Sequence, residues 1–472
     1  MQVTDIGIGA TPMMYFAVFH LDLEGGVQIT GSHNPPEDNG FKILKGKATV
    51  HGAQIQELRA LMERRDFVSG AGTVEEQDIY GAYQTFALSR LALGPRRCKV
   101  VVDAGNGTGG VPAVPLLRAM GFEVVPLYCE MDGTFPNHHP DPTLPENVAA
   151  LQAAVAREGA EAGIAFDGDA DRIGLVHSRG RIIWGDQLMI LLARAILLEV
   201  PGATFVSEVK CSKALYDEIE KAGGKAIMWR VGHSLIKEKM KEVGALLAGE
   251  MSGHIFFAHR YLGYDDAVYT AARLCELLSR SSMTLAQHVD TLPVLHNTPE
   301  IRRDVSDELK FEVVRRAVAY FQAQPGVDVI AVDGARVRWP DAWALVRASN
   351  TQAALVLRFE AETAARLAEV RAQVELALEK IEAEVAARAA ARRVEFFYDL
   401  NSPFSYLAAT QLQGIAQRTG AQVVWRPMVL GAVFKAADNT ATRASAPRMP
   451  SRPSWNTPRA WWPTTHRCAR PT

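Results

Sequence analysis

The amino-acid sequence predicts an α/β protein of several domains with mixed sheets, and three observations lead to this fold class. The chain has 472 residues, enough for roughly three or four domains of ~100–200 residues each. Short β-rich runs are followed by glycine-bearing turns and amphipathic helical segments, as in CKVVVDAGNGTGG–VPAVPLLRAMG and GATFVSEVKCS–KALYDEIEKAG. Strands that alternate with helices in this way are typical of βαβ units with parallel strands.

Composition excludes several classes of protein. Hydrophobic residues make up 48% and charged residues 22%, as in ordinary globular proteins with sizeable cores. The formal net charge is -2, so we expect no nucleic-acid and no membrane partner. The cysteines are scattered without a CxxC pair, which fits a reducing compartment. The N-terminus lacks a signal-peptide pattern and no apolar run could span a bilayer, so we expect a cytoplasmic protein.

The first informative element is GVQITGSHNPPEDNGFKI, residues 26–43. An apolar run ends at Thr30, and Ser32 and His33 follow directly. The next residues, Asn34-Pro35-Pro36, restrict the backbone, because proline fixes its own φ angle. The sequence therefore places a single hydroxyl group at the tip of a constrained turn.

The second element, DGDADR, follows the apolar run Ala162–Ala165. Its three carboxylates, Asp167, Asp169 and Asp171, can converge on one hard cation, and ligation by oxygen alone suits magnesium better than zinc. A solvated acidic turn is the alternative, and a bare DxDxD pattern would favour it. The preceding buried-looking strand and the following arginine favour a phosphate site instead.

A glycine-rich run, GNGTGG at residues 105–110, raises a rival interpretation. It matches G-x-G-x-x-G between a strand and a helix, with Glu130 at about the spacing of a dinucleotide-binding fingerprint. A strand-to-helix turn that serves only packing gives the same pattern. The residues of the run alone leave both interpretations open.

Two further loops carry polar groups at the ends of apolar runs. The loop GEMSGH offers a carboxylate, Glu250, and a hydroxyl, Ser252, which can accept from and donate to neighbouring sugar hydroxyls. The loop RASNT at residues 347–351 combines a guanidinium, two hydroxyls and an amide, which is a compact set of phosphate ligands. Each loop alone could be an ordinary polar turn.

Together, the loops TGSHNP, DGDADR, GEMSGH and RASNT resemble, in order and wording, those of the α-D-phosphohexomutases. The resemblance is greatest to the bacterial phosphomannomutase/phosphoglucomutase group, covers about residues 4–387 and includes VPLYCEMDGTFPNHHPDPTLPEN. It identifies the loops as the active-site serine, magnesium, sugar-binding and phosphate-binding loops, respectively. The glycine-rich run then begins the family's second domain, where no dinucleotide binds.

The resemblance implies three α/β units with mixed sheets around a central cleft, plus a smaller α+β phosphate-binding domain. The implied limits are residues 1–78, 79–180, 181–292 and 293–387. An alanine- and glutamate-rich stretch, Glu362 to Arg392, predicts a long surface helix that acts as a stiff spacer. A partial thioredoxin-like segment at 388–436 and a disordered tail at 437–472 complete the predicted organisation.

The implied reaction moves a phosphoryl group between O1 and O6 of mannose or glucose through a phosphoserine enzyme and a 1,6-bisphosphate. Ser32 would carry the phosphoryl group, and His33 and Lys42 would handle the hydroxyl proton or the phosphate charge. Arg172 would steady the serine loop. The implied cofactors are Mg²⁺, bound by Ser32 and the three aspartates, and glucose or mannose 1,6-bisphosphate as activator. The expected substrate-binding residues are Lys210, His233, Glu250, Ser252, Arg347, Ser349, Asn350 and Thr351.

The partners implied are hexose phosphates, and we expect a monomer, with a dimer as the alternative. Two other functions stay open. One is a non-catalytic remnant that binds sugar phosphates. The other is a phosphoglucosamine mutase, although GEMSGH and TGSHNPP favour the phosphomannomutase/phosphoglucomutase group over it.

The sequence departs from the family pattern in three places. Ala170 stands where glycine is usual, which would strain the loop if the residue needs a positive φ. Met1 falls inside the family's first domain, so we expect an unpaired sheet edge, an uncovered apolar face and doubtful folding of residues 1–78. Residues 394–436 resemble the start of 2-hydroxychromene-2-carboxylate isomerases, with Ser402 at the glutathione-activating serine. The change of composition near Ala437 resembles a reading-frame shift.

Overall fold

The computed structural model describes residues 1–34, 38–350, 352–391, 393–399, 403–419 and 421–428. The chain divides into two compact units, Met1–Ala383 and Glu384–Thr472. Within the larger unit, strands and helices alternate along most of the chain, as the sequence predicted. The fold class is therefore α/β with mixed sheets.

The first part of the chain forms two small sheets. The parallel pair β1–β5 makes one, and the antiparallel strands β2, β3 and β4 make the other. The elements in order are β1 (Gln2–Asp5), α1 (Thr11–His20), β2 (Gly25–Thr30), β3 (Gly40–Lys45), β4 (Ala48–Thr49), α2 (Ala53–Arg64) and β5 (Thr73–Glu76). Helix α1 is apolar on nearly all sides and is buried over most of its length. This burial ties the first part of the chain to the main core.

The predicted uncovered face and unpaired edge are both present here. Val27, Ile29 and Phe41 are exposed on the sheet formed by β2 and β3. Among the described residues, β1 pairs only with β5, and β2 pairs only with β3. A cavity of about 1120 Å³ is lined by both β1 and β2 and extends to Ser32 and Asp169. Helix α1 packs its aromatic and aliphatic side chains into the core, and the folding of residues 1–78 stays a prediction.

The second part is a five-stranded mixed sheet in the order β10-β9-β8-β6-β7. Strands β6, β7 and β8 are parallel, whereas β8, β9 and β10 are antiparallel neighbours. Its elements are α3 (Tyr80–Ser89), β6 (Lys99–Asp103), α4 (Gly110–Ala119), β7 (Glu123–Leu127), a 3₁₀ turn (Pro145–Val148), α5 (Ala149–Glu158), β8 (Ala162–Phe166), β9 (Ile173–His177) and β10 (Ile182–Ile183). Strand β8 is fully buried and leads directly into the acidic loop.

The third part repeats this plan with the order β12-β11-β13-β14. Three strands are parallel and β14 is antiparallel to β13. Its elements are α6 (Gly185–Glu199), β11 (Thr204–Glu208), α7 (Lys213–Lys221), β12 (Lys225–Trp229), α8 (His233–Val243), β13 (Leu247–Gly249), β14 (Ile255–Phe257), α9 (Ala267–Arg280) and α10 (Leu285–Asp290). The loop GEMSGH connects the antiparallel strands β13 and β14.

The fourth part is an antiparallel sheet in the order β15-β20-β19-β18-β17, with β16 also paired to β20. Its elements are β15 (His296–Asn297), β16 (Ile301–Asp304), α11 (Lys310–Gln322), β17 (Asp328–Ile330), β18 (Ala335–Arg338), β19 (Ala342–Ala348) and β20 (Ala354–Ala361). The stretch VDVIAVDGARVRW forms the hairpin β17–β18. The fourth part is thus the α+β domain that the sequence predicted.

Helix α12 (Ala364–Ala391) matches the predicted long helix closely in extent. Most of its residues are exposed, as predicted for a surface helix, and its role as a spacer stays a prediction. Val370, Val374, Leu378 and Ile381 are buried, and this spacing places them on one face of the helix. The helix therefore contributes a buried face to the larger unit.

The described part of the smaller unit contains β21 (Arg393–Tyr398), α13 (Pro403–Thr419) and β22 (Gln422–Pro427). The two strands are parallel, which gives the βαβ arrangement expected of a thioredoxin-like start. Ser402 and the predicted disordered tail at 437–472 lie outside the described residues. Among the described helices, none combines the length and apolar character that crossing a membrane requires.

Candidate active site

Ser32 lies in the turn that follows β2 and adopts a left-handed backbone conformation, with φ at 52°. Its N–H donates to Thr30 Oγ1 over 2.9 Å, which fixes the turn. Its hydroxyl donates to Asp167 Oδ2 over 2.9 Å, and Oγ lies 2.9 Å from His33 Nδ1. The prolines that follow Asn34 lie outside the described residues. The serine turn thus meets the acidic loop of the second sheet directly.

The acidic loop joins β8 to β9, and Asp167, Asp169 and Asp171 are all buried there. Asp167 Oδ1 accepts the backbone N–H groups of Asp171 at 3.1 Å and Arg172 at 3.0 Å, which closes the loop on itself. Ala170 has φ at 55°, so this position does need a positive φ. Its methyl group costs about 1 kcal/mol there relative to glycine.

The first part of the chain supplies two more groups to this loop. Lys42, on β3, forms ion pairs with Asp169 Oδ2 at 2.6 Å and with Asp171 Oδ2. Thr11, the first residue of α1, donates its hydroxyl to Asp169 Oδ2 over 2.6 Å and its N–H to the Asp169 carbonyl over 2.8 Å. The positive end of the helix dipole also favours a carboxylate at this position.

The three carboxylates differ in their electrostatic surroundings. Burial raises the pKa of Asp167 well above its usual range, and the charges of Asp171 and Asp169 act in the same direction. Burial also disfavours the charge of Asp169, but the Lys42 charge and hydrogen bonds outweigh it and lower the pKa of Asp169. Burial opposes the Lys42 charge as well, yet Asp171 and Asp169 raise the pKa of Lys42 well above its usual value. Lys42 is therefore a fixed positive charge.

These residues fit a divalent metal ion. Asp167, Asp169 and Asp171 each offer a carboxylate oxygen, and these atoms lie within 4.8 Å of one another. Asp169 Oδ1 is buried without a hydrogen-bond partner among the described residues. A buried, unpaired carboxylate oxygen beside a carboxyl of raised pKa shows that the site lacks positive charge. Because every donor is an oxygen, a hard cation is the suitable occupant.

Arg172 connects the acidic loop to the serine turn and to the loop GEMSGH. Its Nη2 lies 3.0 Å from His33 Nε2, and its Nε donates to His254 Nε2 over 3.1 Å. Burial and the nearby Arg172 charge lower the pKa of His33 to about 4, so the ring is neutral near pH 7. Because arginine can only donate, His33 Nε2 accepts and His33 Nδ1 carries the proton towards Ser32.

Lys210 follows β11 and is largely buried. Its N–H donates to Glu208 Oε2 over 2.5 Å, its carbonyl accepts from the Arg358 guanidinium, and its Nζ lies 3.5 Å from Glu300. Burial opposes the Lys210 charge, but Glu208 and Glu300 raise its pKa above the usual value. Residues of the third and fourth parts of the chain together hold the Lys210 side chain in place.

The side chain of Glu250 contacts the backbone of the turn that carries His233. Glu250 is buried, and its Oε1 accepts the N–H of Gly232, which directly precedes His233, over 2.7 Å. Burial and the Lys237 charge lower the pKa of His233 to about 3. Ser252 is half-buried in the same loop as Glu250. The loop GEMSGH and the turn that carries His233 therefore form one connected surface.

The guanidinium of Arg347, near the end of β19, is partly paired. Its Nε lies 3.2 Å from Asp333 Oδ2, which also accepts the N–H of Val231 over 3.0 Å. Arg347 Nη2 is buried and has no hydrogen-bond partner among the described residues. Ser349 is buried, and its Oγ accepts the N–H of Gln352 over 3.1 Å. An unpaired buried guanidinium nitrogen is the arrangement expected of an anion site.

Direct contacts in the structure thus connect each predicted loop to the next one. Ser32 meets Asp167, Arg172 meets His254, and Asp333 links Arg347 to the turn before His233. Asn350 is exposed, and Thr351 lies outside the described residues.

Several residues at the site were missed by sequence reasoning. Thr11, His254, Asp265 and Asp333 all contact predicted site residues. His254 ends the quoted loop GEMSGH, so its position was a signal that could have been used. The other three are single residues with no motif of their own, and only the fold brings them to the site.

The glycine-rich run at residues 105–110 packs against the acidic loop. Thr108 donates its N–H to the Gly168 carbonyl over 2.9 Å. A Cβ on Gly107 would lie 2.8 Å from the Cα of Gly168, so glycine permits this close approach. The packing alternative for this run therefore agrees with the structure.

Comparison with known protein families assigns nearly the whole larger unit. Residues 1–69, 82–180 and 184–295 match the phosphoglucomutase/phosphomannomutase alpha/beta/alpha domains I, II and III, and residues 300–377 match the C-terminal domain of the same family. Residues 393–453 match a DSBA-like thioredoxin domain.

Similar proteins span the same region. The phosphomannomutase/phosphoglucomutase of Pseudomonas aeruginosa is 47% identical over 370 residues, which covers 78% of this chain and 80% of the relative. The phosphoglucomutase of Neisseria gonorrhoeae is 44% identical over 381 residues, covering 80% and 82% of the two chains. A solved phosphoglucomutase/phosphomannomutase family protein from Burkholderia thailandensis aligns with a TM-score of 0.76 at 40% identity, covering 81% and 83%.

Proposed function

The chain belongs to the phosphoglucomutase/phosphomannomutase family, and on that premise we propose that it interconverts hexose 1-phosphates and hexose 6-phosphates of mannose and glucose. The observation that supports this most is the contact of Ser32 Oγ with Asp167 Oδ2 at 2.9 Å. It places a candidate phosphoryl acceptor at the edge of a buried acidic cluster. The activity rests on Ser32 as the residue that gives and takes the phosphoryl group.

The groups around Ser32 suit an oxygen that gains and loses charge. His33 Nδ1 lies 2.9 Å from Ser32 Oγ and carries a proton in the tautomer that Arg172 imposes. When the phosphoryl group leaves Ser32, Oγ acquires negative charge, and a donor already aimed at it stabilises that charge. His33 therefore acts as a donor to the serine oxygen, and Lys42 acts as a fixed charge.

Asp167, Asp169 and Asp171, with an oxygen at Ser32, would hold Mg²⁺. Bound Mg²⁺ supplies positive charge that offsets charge developing on the transferred phosphoryl group. Lys42 neutralises part of the cluster by contacting Asp169 and Asp171. The chain's own contribution is to keep the carboxylates buried and rigid around that position.

The proposed reaction is a pair of phosphoryl transfers. In the first, the bond between phosphorus and Ser32 Oγ breaks while phosphorus bonds to the free O1 or O6 of the sugar, whose hydroxyl loses its proton as Ser32 Oγ gains one. The resulting 1,6-bisphosphate turns over in the site. In the second, the other phosphoryl group passes to Ser32 Oγ, which loses its proton, and the product oxygen that it leaves gains one. A small amount of hexose 1,6-bisphosphate keeps the serine phosphorylated and so acts as activator.

The non-reacting phosphate would be held at the far side of the site. Arg347 offers a buried Nη2 that no described residue pairs with, and Ser349, Asn350 and Thr351 follow it in the chain. Lys210 supplies a second positive charge. Burial opposes this charge, but Glu208 and Glu300 raise the pKa of Lys210 above its usual value. Because this site would hold the O6 phosphate in one orientation of the sugar and the O1 phosphate in the other, either O1 or O6 can face Ser32.

The first experiment measures whether Ser32 accepts a phosphoryl group. Incubation with glucose 1,6-bisphosphate and Mg²⁺ should raise the intact mass of the protein by one phosphoryl group, mapped by peptide mass spectrometry to Ser32. A protein that binds hexose phosphates without being phosphorylated would instead be a non-catalytic binding remnant. A preference for glucosamine phosphates would point to a phosphoglucosamine mutase.

We expect glucose and mannose phosphates to be handled within about tenfold of each other in kcat/KM, roughly 1.4 kcal/mol. Glu250 and Ser252 would read the 3- and 4-hydroxyls, which the two sugars share. Strong rejection needs a buried polar group left unpaired by the wrong sugar, and the sequence offers no evident reader of C2. Glu250→Gln should weaken both substrates alike in steady-state kinetics. A variant that loses one sugar and keeps the other would contradict this specificity.

Gly168→Ala should lower kcat by about 10²-fold, because small displacements of reacting groups have effects of this size. A Cβ at Gly168 would lie 2.2 Å from the Ser32 carbonyl oxygen, so the serine turn must move. The control is Gly81→Ala on α3, whose Cβ would meet nothing within 4 Å. Steady-state kinetics and thermal unfolding should be measured on both variants. Unchanged kcat in the folded Gly168→Ala protein would show that the position of the turn does not limit the reaction.

A further inference from the structure

A continuous set of side-chain contacts extends behind Ser32 into the third sheet. His33 bridges Ser32 Oγ and Arg172 Nη2, with distances of 2.9 and 3.0 Å. Arg172 Nε then donates to His254 Nε2 over 3.1 Å. Beyond His254 lies Asp265, whose Oδ2 is 3.3 Å from His254 Nδ1. Ser32 and Asp265 are thus connected through three intervening side chains.

Arg172 and Asp265 lie at opposite sides of the His254 ring and favour the same tautomer of it. A guanidinium only donates, so both Nε2 atoms that Arg172 contacts must accept. In its neutral form each imidazole therefore carries its proton on Nδ1. For His33 that proton faces Ser32 Oγ, and for His254 it faces Asp265.

Asp265 is fully buried and anchored from the opposite side. Its Oδ1 accepts from Lys237 Nζ at 2.9 Å, and Lys237 also donates to Tyr15 Oη at 3.2 Å. Asp265 Oδ2 and His254 Nδ1 are both buried and lack a well-angled hydrogen-bond partner among the described residues. At 3.3 Å, a small rotation of the ring would make each the partner of the other, which removes two costly unpaired groups.

Other charged or titratable groups also face His254. Asp171 Oδ1 lies 3.6 Å from His254 Nδ1, and the His233 ring stacks on the His254 ring with centroids 5.6 Å apart. Asp171 is already paired with Lys42 on its other oxygen. Asp265 is the nearer acceptor, so it is the group that orients the Nδ1 proton.

We propose that Asp265 is a positioning residue for Ser32, acting through His254, Arg172 and His33. The proposal rests on the mutase function proposed above. By favouring one tautomer and orientation of His254, the Asp265 carboxylate keeps His254 Nε2 in place as the acceptor for Arg172 Nε. Arg172 then holds His33 so that its Nδ1 proton stays aimed at the serine oxygen. No proton moves along the set, and its function is orientation.

The test compares two double variants that both lack the buried charges. D265L/K237M removes the acceptor, whereas D265N/K237M keeps a carbonyl oxygen at the same position. Neutral replacements are used because an unpaired buried lysine is strongly destabilising. We expect kcat of D265N/K237M to be at least about fivefold above that of D265L/K237M, with KM for glucose 1-phosphate similar in both.

The same pair in a His254→Leu background separates positioning from packing. The proposal predicts equal kcat for the two double variants once His254 is absent, since the acceptor then has nothing to orient. A kcat difference that persists without His254, or equal kcat in its presence, would overturn the proposal.

A second measurement does not depend on turnover. Nitrogen-15 NMR of the intact protein with labelled histidines reads the tautomer of each ring, assigned with His33→Gln and His254→Gln variants. Both rings should show the Nδ1–H tautomer, and its population at His254 should fall in D265L/K237M. An Nε2–H tautomer for His254 overturns the positioning role even if the mutase is active. Absence of turnover with the expected tautomers overturns the proposed function instead.

Discussion

Ser32→Ala should reduce turnover of glucose 1-phosphate by about 10⁴-fold or more, because the group that carries the phosphoryl is gone. The same variant should take up no phosphoryl group from glucose 1,6-bisphosphate, measured as intact mass. The fold should be unaffected, since Ser32 is only half-buried and its fixed backbone contact comes from Thr30 Oγ1. Thermal unfolding of the variant checks this expectation.

Thr30→Ser is the matched control for this loss. A serine at position 30 keeps the hydroxyl that accepts the Ser32 N–H, so the turn should keep its shape. We expect Thr30→Ser to be phosphorylated stoichiometrically. Phosphorylation of the Ser32→Ala protein at another residue would show that the serine turn has been assigned wrongly.

Asp167→Asn should lower kcat by about 10³-fold, the upper range for loss of one electrostatic group at a reacting centre. Asp167 accepts the Ser32 hydroxyl through Oδ2 and closes the acidic loop through Oδ1. The amide removes one negative charge from the cluster, so the Mg²⁺ concentration for half-maximal activity should rise. Steady-state kinetics over a series of Mg²⁺ concentrations measures both effects.

The control for this prediction is Asp22→Asn, an exposed carboxylate paired with Lys47. It should leave kcat and the Mg²⁺ dependence unchanged. Removal of divalent ions from the parent protein with EDTA should abolish turnover, and added Mg²⁺ should restore it. Full activity of the EDTA-treated protein would contradict a metal role for the acidic loop.

The parts of the fold that follow a strong local pattern could be predicted from the sequence. Strand β8 precedes the acidic loop as an apolar run, and α12 has helical spacing over its whole length. The apolar residues at helical spacing on this helix include Val370 and Val374, which are buried. Burial of a helix face depends on the neighbouring elements, which local sequence does not describe.

The candidate site was predictable where residues lie in loops of recognisable wording. Thr11, Asp265 and Asp333 were not, because each is a lone polar residue that reaches the site only through the fold. Even within the predicted loops, roles depended on geometry. His33 was expected to handle a proton or charge, and its contact with Arg172 favours the tautomer that can donate to Ser32.

The limits of the four predicted domains and the roles of the individual site residues stay predictions. The exposed Val27 and Ile29 on the first sheet bear on activity, because Ser32 directly follows that sheet's β2 strand. Lys42 lies on β3 of the same sheet, so a shift of this sheet would affect both the contact of Ser32 with Asp167 and the ion pairs of Lys42.

Turnover by the unsubstituted protein tests the proposed mutase function most directly. Phosphorus-31 NMR should show glucose 1-phosphate converting to glucose 6-phosphate when Mg²⁺ and a trace of glucose 1,6-bisphosphate are present. The rate should fall to background when either is omitted or when Ser32 is replaced by alanine. No conversion by the folded parent protein, with the 1-phosphate still bound, would contradict the mutase function and leave a sugar-phosphate-binding protein.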